Sequence, residues 1–180
     1  MPFNFEATQL NEVILVKPQI FKDNRGAFWE GYKKAEFFAN GITDEFVQDN
    51  ISVSQAKVLR GLHYQAGEFA QGKLVTCLQG KIYDVAVDIR PNSPNFGKNL
   101  RVELSEENRH ALYIPKGFAH GFVTLSSQVI LSYKTSAEYN PNADRGVFWA
   151  DETLNIDWGI DFNPILSEKD LNLPRLTEVL

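Results

Sequence analysis

The feature that most limits how this chain can fold is a succession of short apolar or alternating runs, each closed by turn-forming residues. They cover Val13–Phe21, Phe46–Ser54, Val58–Gln65, Leu74–Leu78, Ile82–Ile89, Leu100–Leu104, Ala111–Ile114, Phe122–Leu125 and Val129–Thr135. Runs of this length and spacing predict an all-β sandwich or barrel. The breaks between them, Asp23-Asn24-Arg25-Gly26, Gln79-Gly80, Pro91 through Gly97 and Pro115-Lys116-Gly117, are rich in the residues that tight turns require. Little helix is left over: a short segment at Lys33–Ala39, stopped near Asn40-Gly41, and a turn opened by Ser167-Glu168-Lys169-Asp170. From Asp151 onward, Asp, Asn and Pro alternate with isolated Leu, Ile and Trp, which predicts an irregular segment packed over the body. A chain of 180 residues with no internal repeat and no long linker reads as one domain, residues 1–180.

Composition excludes several classes of function. A net charge of -5 opposes non-specific binding to nucleic acid, so any anionic ligand must be met by a local basic cluster. No stretch approaches the ~18 consecutive apolar residues of a membrane span. Met1 to Leu10 lacks the basic start and apolar run of a secretory signal, so a cytoplasmic location is expected. The single cysteine, Cys77, excludes an intrachain disulfide and reads as a small core residue.

Three segments carry groups capable of chemistry. Val58 through Gln65 places Arg60 and His63 around Gly61. Strict alternation sends those two side chains to opposite faces, whereas a bulge at the glycine would re-aim them. Next, Ile114 through Phe122 delivers His120 from a Pro-x-Gly turn at the start of an apolar strand. Pro-x-Gly-x-x-His is the second half-motif of the cupin barrels, but the His-x-His of metal-binding cupins is missing. With only His63, His110 and His120, and no matching carboxylate spacing, no metal site is expected. In the third segment, Gln128 through Lys134, alternation puts Val129, Leu131 and Tyr133 on one face, so Tyr133 is either a phenol lining a cavity or a core tyrosine bonded to backbone. Lys73 is an inward charge or a solvated strand end; Asp84 and Asp88 point to solvent or line the cavity.

Together these segments resemble the dTDP-4-dehydrorhamnose 3,5-epimerase family over nearly the whole chain. The matching stretches are Asp23-Asn24-Arg25-Gly26 with Glu30, Gln48-Asp49-Asn50-Ile51-Ser52, Leu59 through Gln65, Gln71 through Val75, Asp84 through Arg90 with Ser93-Pro94 and Phe96-Gly97, Pro115 through Phe122, Tyr133-Lys134 with Tyr139, and Ser167 through Asp170. The resemblance implies a cupin-type β-barrel (jelly roll) with a few short helices, mainly C-terminal. It also implies a homodimer with exchanged N-terminal strands, no metal and no other cofactor, and inversion of C3 and C5 of dTDP-4-dehydro-6-deoxy-glucose.

By the same resemblance His63 is the base, Asp170 its partner on the other ring nitrogen, Tyr133 the opposing proton donor and Lys73 the cation that holds the enolate oxygen. Arg25 and Arg60 suit the diphosphate. Glu30, Gln48 and Asn50 are assigned to the nucleotide, His120 to the sugar, Lys169 to the site edge and Tyr139 to a stack on thymine. Arg25 and Glu30 are expected to serve the neighbouring protomer's site. Two departures stand out: Asp144 occupies a position where the family usually has glutamate, and Ala66 through Ala70 is poor in proline. Relatives that invert only C3 or only C5, and a non-catalytic sugar-nucleotide-binding cupin, are the alternatives.

Overall fold

The structure, a computed structural model, describes residues 2–179. The strands are β1 (Phe3–Ala7), β2 (Ile14–Pro18), β3 (Phe21–Asp23), β4 (Gly26–Phe28), β5 (Gln48–Gln55), β6 (Leu59–Gln65), β7 (Lys73–Gln79), β8 (Lys81–Asp88), β9 (Asn99–Ser105), β10 (Ala111–Ile114), β11 (Phe118–Thr124), β12 (Gln128–Thr135) and β13 (Asp144–Gly146). Helices α1 (Lys34–Ala39) and α2 (Glu168–Leu171) are short, and 3-10 turns lie at Gly67–Phe69 and Leu176–Glu178. Two of these four helical pieces fall in the C-terminal segment as expected, but the longest is α1.

The strands form a six-stranded sheet in the order β1-β2-β10-β7-β12-β5, a five-stranded sheet in the order β13-β6-β11-β8-β9, and a separate β3–β4 hairpin. The expected cupin jelly roll is therefore built as two sheets packed face to face. It is not closed by hydrogen bonds into a barrel, because each sheet ends in edge strands.

Side-chain parity explains the packing. On β7 Val75 and Cys77 face inward, on β12 Val129 and Leu131, and on β8 Ile82 and Ala86; they meet Leu112, Phe118 and Phe122 in the core between the sheets. The opposite parity of the five-stranded sheet, Leu59, Leu62, Val85, Val87 and Val123, is covered by Val147, Leu154, Trp158 and Leu176. The C-terminal segment thus packs over the body as the sequence predicts. Strands β8 and β11 are covered on both faces, which is why apolar residues occupy both parities in each. Phe37 and Ile42 seal the outer face of the six-stranded sheet against Phe3, Val16 and Tyr113.

Several boundaries differ from the sequence reading. The run Val13–Phe21 divides into β2 and β3, since Gln19 and Ile20 leave the ladder after Pro18 and the chain turns into the hairpin. Strand β11 begins at Phe118 rather than Phe122, directly after Gly117, whose φ of 83° turns the chain. Strands β1, β4 and β13 were not predicted; β13 reads Asp-Arg-Gly and is defined only by pairing with β6.

The bulge in β6 is the local feature that matters most. Across β6 and β11, His63 pairs with His120 and Arg60 pairs with Phe122, so Gly61 and Leu62 together oppose the single residue Gly121. This two-for-one step keeps Leu59 and Leu62 on the outer core while Arg60 and His63 both line the inner cleft. The backbones approach closely there: a Cβ on Gly121 would lie 2.7 Å from the Arg60 carbonyl oxygen and 3.3 Å from Gly61 Cα. Gly121→Ala is therefore expected to destabilise the fold by about 1–3 kcal/mol, the usual cost of overpacking, measured by denaturant unfolding.

Candidate active site

A cleft of about 480 Å³ opens between the sheets. Strands β6 and β11 contribute Arg60, His63 and His120 from one side; β7, β12 and β5 contribute Lys73, Tyr133 and Ser52 from the other; Ile165 through Asp170 form a third wall. A second space of about 370 Å³ shares His63, Lys73, Tyr133 and Lys169 with the first and adds Gln48, Asn50, Tyr139 and Asp144. The two make one continuous groove.

His63 is fixed by a 2.6 Å hydrogen bond between its Nε2 and Asp170 Oδ1. Asp170 is 3% exposed and sits on α2, which Ser167 caps by accepting from the Asp170 N–H at 3.1 Å. Burial pushes the Asp170 carboxyl pKa up, but hydrogen bonds from His63, the Gly61 N–H and Ser167, with the His63 charge, outweigh it and leave the pKa below the usual carboxylate value. An ionised Asp170 accepts the Nε2 proton, so Nδ1 is the nitrogen left with a free lone pair. The imidazole is 31% exposed.

Lys73 shares the inward parity of Val75 and Cys77, which makes it an interior cation rather than a solvated strand end. It is 8% exposed, and its Nζ donates to the His63 carbonyl oxygen at 3.3 Å. Burial pulls its pKa down to about 8, against the opposing pull of Asp84 and Asp144. A depression of that size means the charged form is disfavoured by roughly 3 kcal/mol relative to water. Strongly shifted groups that face a cleft cluster at functional sites, which makes Lys73 a candidate for meeting a ligand's negative charge.

Asp84 faces inward beside Ile82 and Ala86, which settles the choice that parity alone left open. It is fully buried, its Oδ1 lies 2.8 Å from His120 Nε2, and its Oδ2 has no partner among the described residues. The groove thus contains two histidine–aspartate pairs on neighbouring strands, since His63 and His120 are cross-strand partners. The second pair was not foreseen. Its signal was the inward parity of Asp84, which becomes decisive only once both faces of β8 are known to be buried.

Tyr133 lies on the inner face of β12, paired with Val75 of β7 and packed against the core. Burial raises its phenol pKa, partly countered by the nearby Arg60 charge, so the hydroxyl keeps its proton through the neutral range. Arg60 itself spans the gap between the sheets, donating from Nε to Ser54 Oγ at 3.1 Å and from a terminal nitrogen to the Val53 carbonyl at 3.3 Å.

At the far end of the groove, polar side chains hold one another. Gln48 donates to Asn50 Oδ1 at 2.8 Å and accepts from the Tyr139 N–H at 2.9 Å. Asp144 takes the Tyr139 hydroxyl at 3.0 Å and pairs with Lys169. The shorter aspartate therefore still bridges its neighbours. Arg25 and Glu30 lie outside the groove: Arg25, at the tip of the β3–β4 hairpin, pairs with Asp23 at 2.7 Å, and Glu30 keeps a buried Oε2 with no partner among the described residues.

A jelly roll whose groove sets an oriented imidazole and a protonated phenol on facing sheets, with a buried cation at hand, has the architecture of a cupin-type isomerase. The relatives give the same class a narrower name. The sequence model described as dTDP-4-dehydrorhamnose 3,5-epimerase matches residues 7–178, and the chain belongs to that family. It is 49% identical to the dTDP-4-dehydrorhamnose 3,5-epimerase of Shigella flexneri, over 94% of this chain and 93% of that one. Its fold superimposes with a TM-score of 0.96 on the Legionella pneumophila dTDP-6-deoxy-D-glucose-3,5-epimerase, solved with dTDP-4-keto-L-rhamnose, at 44% identity over 99% and 95% of the two chains. A 3'-monoepimerase from Streptomyces bikiniensis, solved with dTDP-quinovose, is also similar, with a TM-score of 0.89 and 32% identity over 96% of this chain and 87% of that one.

The buried lysine gives a direct check. In carbon-detected NMR titration the Lys73 side chain should lose its proton near pH 8, well below the ~10.4 of an ordinary lysine. Asp84→Asn removes a charge that favours the ammonium form, so it should move that midpoint lower still.

Proposed function

We propose that this protein inverts C3 and C5 of dTDP-4-dehydro-6-deoxy-glucose by proton transfer beside the C4 ketone. The observation that carries this reading is that His63 and Tyr133 line one groove from opposite sheets, with Lys73 beside them. Inversion requires removal of a proton from one face of the sugar and delivery to the other, which a single group on one wall cannot do.

In this reading His63 takes the hydrogen from a carbon next to the ketone. The electron pair moves into the carbonyl and the developing enolate oxygen is met by the Lys73 ammonium, a preorganised cation already removed from water. Asp170 holds the His63 ring in the required tautomer and stabilises the imidazolium that forms. Tyr133 then gives its phenolic proton to the carbon from the opposite face, and solvent restores both groups. The ketone is regenerated, so atoms and charge balance without a redox partner or metal. Arg60 faces the diphosphate, His120 the sugar, and Gln48, Asn50, Tyr139, Asp144 and Lys169 the nucleotide end, with the Tyr139 ring stacking on thymine.

The reading includes a homodimer. Strand β5 is a free edge of the six-stranded sheet, and its outer face leaves Ile51 and Val53 70% and 57% exposed. The hairpin that carries Arg25 leaves Phe21 and Phe28 49% and 65% exposed. An unpaired apolar edge and an unpaired apolar hairpin on one chain are what a strand exchange between copies would cover, and that exchange would bring Arg25 and Glu30 to the neighbour's groove.

Proton NMR in deuterium oxide tests the chemistry by following the C3 and C5 hydrogens of dTDP-4-dehydro-6-deoxy-glucose separately. Exchange at both is expected; exchange at C3 alone would make this chain a counterpart of the monoepimerase, and none would return it to a binding role. His63→Ala should lower exchange at both positions by about 10²–10⁴-fold, while Tyr133→Phe should depress complete inversion more than the first exchange. Activity should survive exhaustive chelation.

The shared site is tested by mixing two inactive variants, Arg25→Ala and His63→Ala. Random dimers contain one intact site in half the molecules, so about a quarter of wild-type activity should return if the exchange occurs, and none if Arg25 serves its own chain.

A further inference from the structure

Three backbone groups beside the nucleotide end of the groove converge on one side chain that the acid–base chemistry does not use. Gln65, the last residue of β6, is 7% exposed and lines the second part of the groove. Its carbonyl accepts from the Asn140 N–H at 2.7 Å, and its amide donates to the Glu138 carbonyl and to the Phe69 carbonyl, each at 3.1 Å. Glu138 and Asn140 flank Tyr139, so one amide grips the tyrosine's loop on both sides and ties it to the turn that ends at Phe69. Tyr139 is 56% exposed, and among the described residues it also hydrogen-bonds through its N–H to Gln48 and through its hydroxyl to Asp144.

We propose that Gln65 is a positioning residue for nucleobase recognition, setting the Tyr139 ring at a fixed distance from His63. The two functions share one strand, with Gln65 two residues beyond His63, so the strand that aims the imidazole also sets the place of the stacking platform. Glutamine suits the task because a neutral amide offers an acceptor and two donors from one planar group. A carboxylate in its place would face two carbonyl oxygens, and an apolar side chain would leave three part-buried backbone groups without this partner. The proposal rests on the assignment of Tyr139 to the thymine ring.

The test compares Gln65→Met, Gln65→Glu, Tyr139→Ala and the double variant Gln65→Met/Tyr139→Ala by calorimetry with dTDP and, separately, with inorganic pyrophosphate, together with KM and kcat. Gln65→Met is expected to weaken dTDP about tenfold, leave pyrophosphate affinity unchanged, raise KM with kcat within about twofold, and add nothing in the Tyr139→Ala background. Equal weakening of dTDP and pyrophosphate, or a fall in kcat at constant KM, would overturn it, because either would mean that Gln65 supports the whole groove or the His63 strand. Should the methionine variant fail to fold, Gln65→Glu carries the test: it keeps the Asn140 contact and loses both donations, and unchanged dTDP affinity there overturns the proposal. If Tyr139→Ala leaves dTDP affinity unchanged, the stacking assignment fails and the proposal with it. If Tyr139→Ala weakens dTDP and Gln65→Met does not, only the Gln65 proposal fails.

Discussion

The two-for-one step in β6 is the constraint on which the groove depends. Without it the two-residue period of a strand would put His63 on the inner face and Arg60 on the outer, or the reverse. With Gly61 and Leu62 set against Gly121, both polar side chains enter the groove while Leu59 and Leu62 remain in the outer core. The fold tolerates this because glycines meet on both strands, where the gap leaves no room for a Cβ.

The bulge would achieve little in a water-filled channel. The groove is lined by Lys73 at 8% exposure and Asp170 at 3%, charges that the fold has already removed from solvent, and fully buried Asp84 stands behind its His120. Each is costly in isolation and supported by its surroundings, Asp170 by His63 and the Gly61 N–H, Asp84 by His120, and Lys73 by the field of Asp84. Desolvation is what makes a lysine an effective partner for a negative charge that appears during a reaction, since the site does not reorganise when that charge forms.

Strand β5 shows how the groove extends to the open edge of the sheet. Its inner parity is polar, Gln48, Asn50, Ser52 and Ser54, and its outer parity carries Ile51 and Val53. This inverts the usual rule for a sheet that covers a core. The polar set faces the groove and the apolar set faces out, on the side that the proposed homodimer would cover.

Much of this was legible in the residues. Short runs between turn formers specify a β-rich fold because strand length and turn chemistry are local properties, and eight of the nine expected runs overlap one principal strand with ends shifted by a few residues, as at Phe46–Ser54 and β5. The glycine two residues before His63 pointed to the bulge that β6 contains. The sequence could not choose a face for Asp84, Lys73 or Tyr133, because parity says which residues lie together and not which side is inside. Nor could it show the Asp84–His120 pair, 36 residues apart, or the grip of Gln65 on a loop more than 70 residues away. Local pattern thus determined the strands and the residue types available for chemistry, whereas the pairing of two sheets decided which of them meet, since contacts between residues distant in sequence exist only when the sheets have closed on one another.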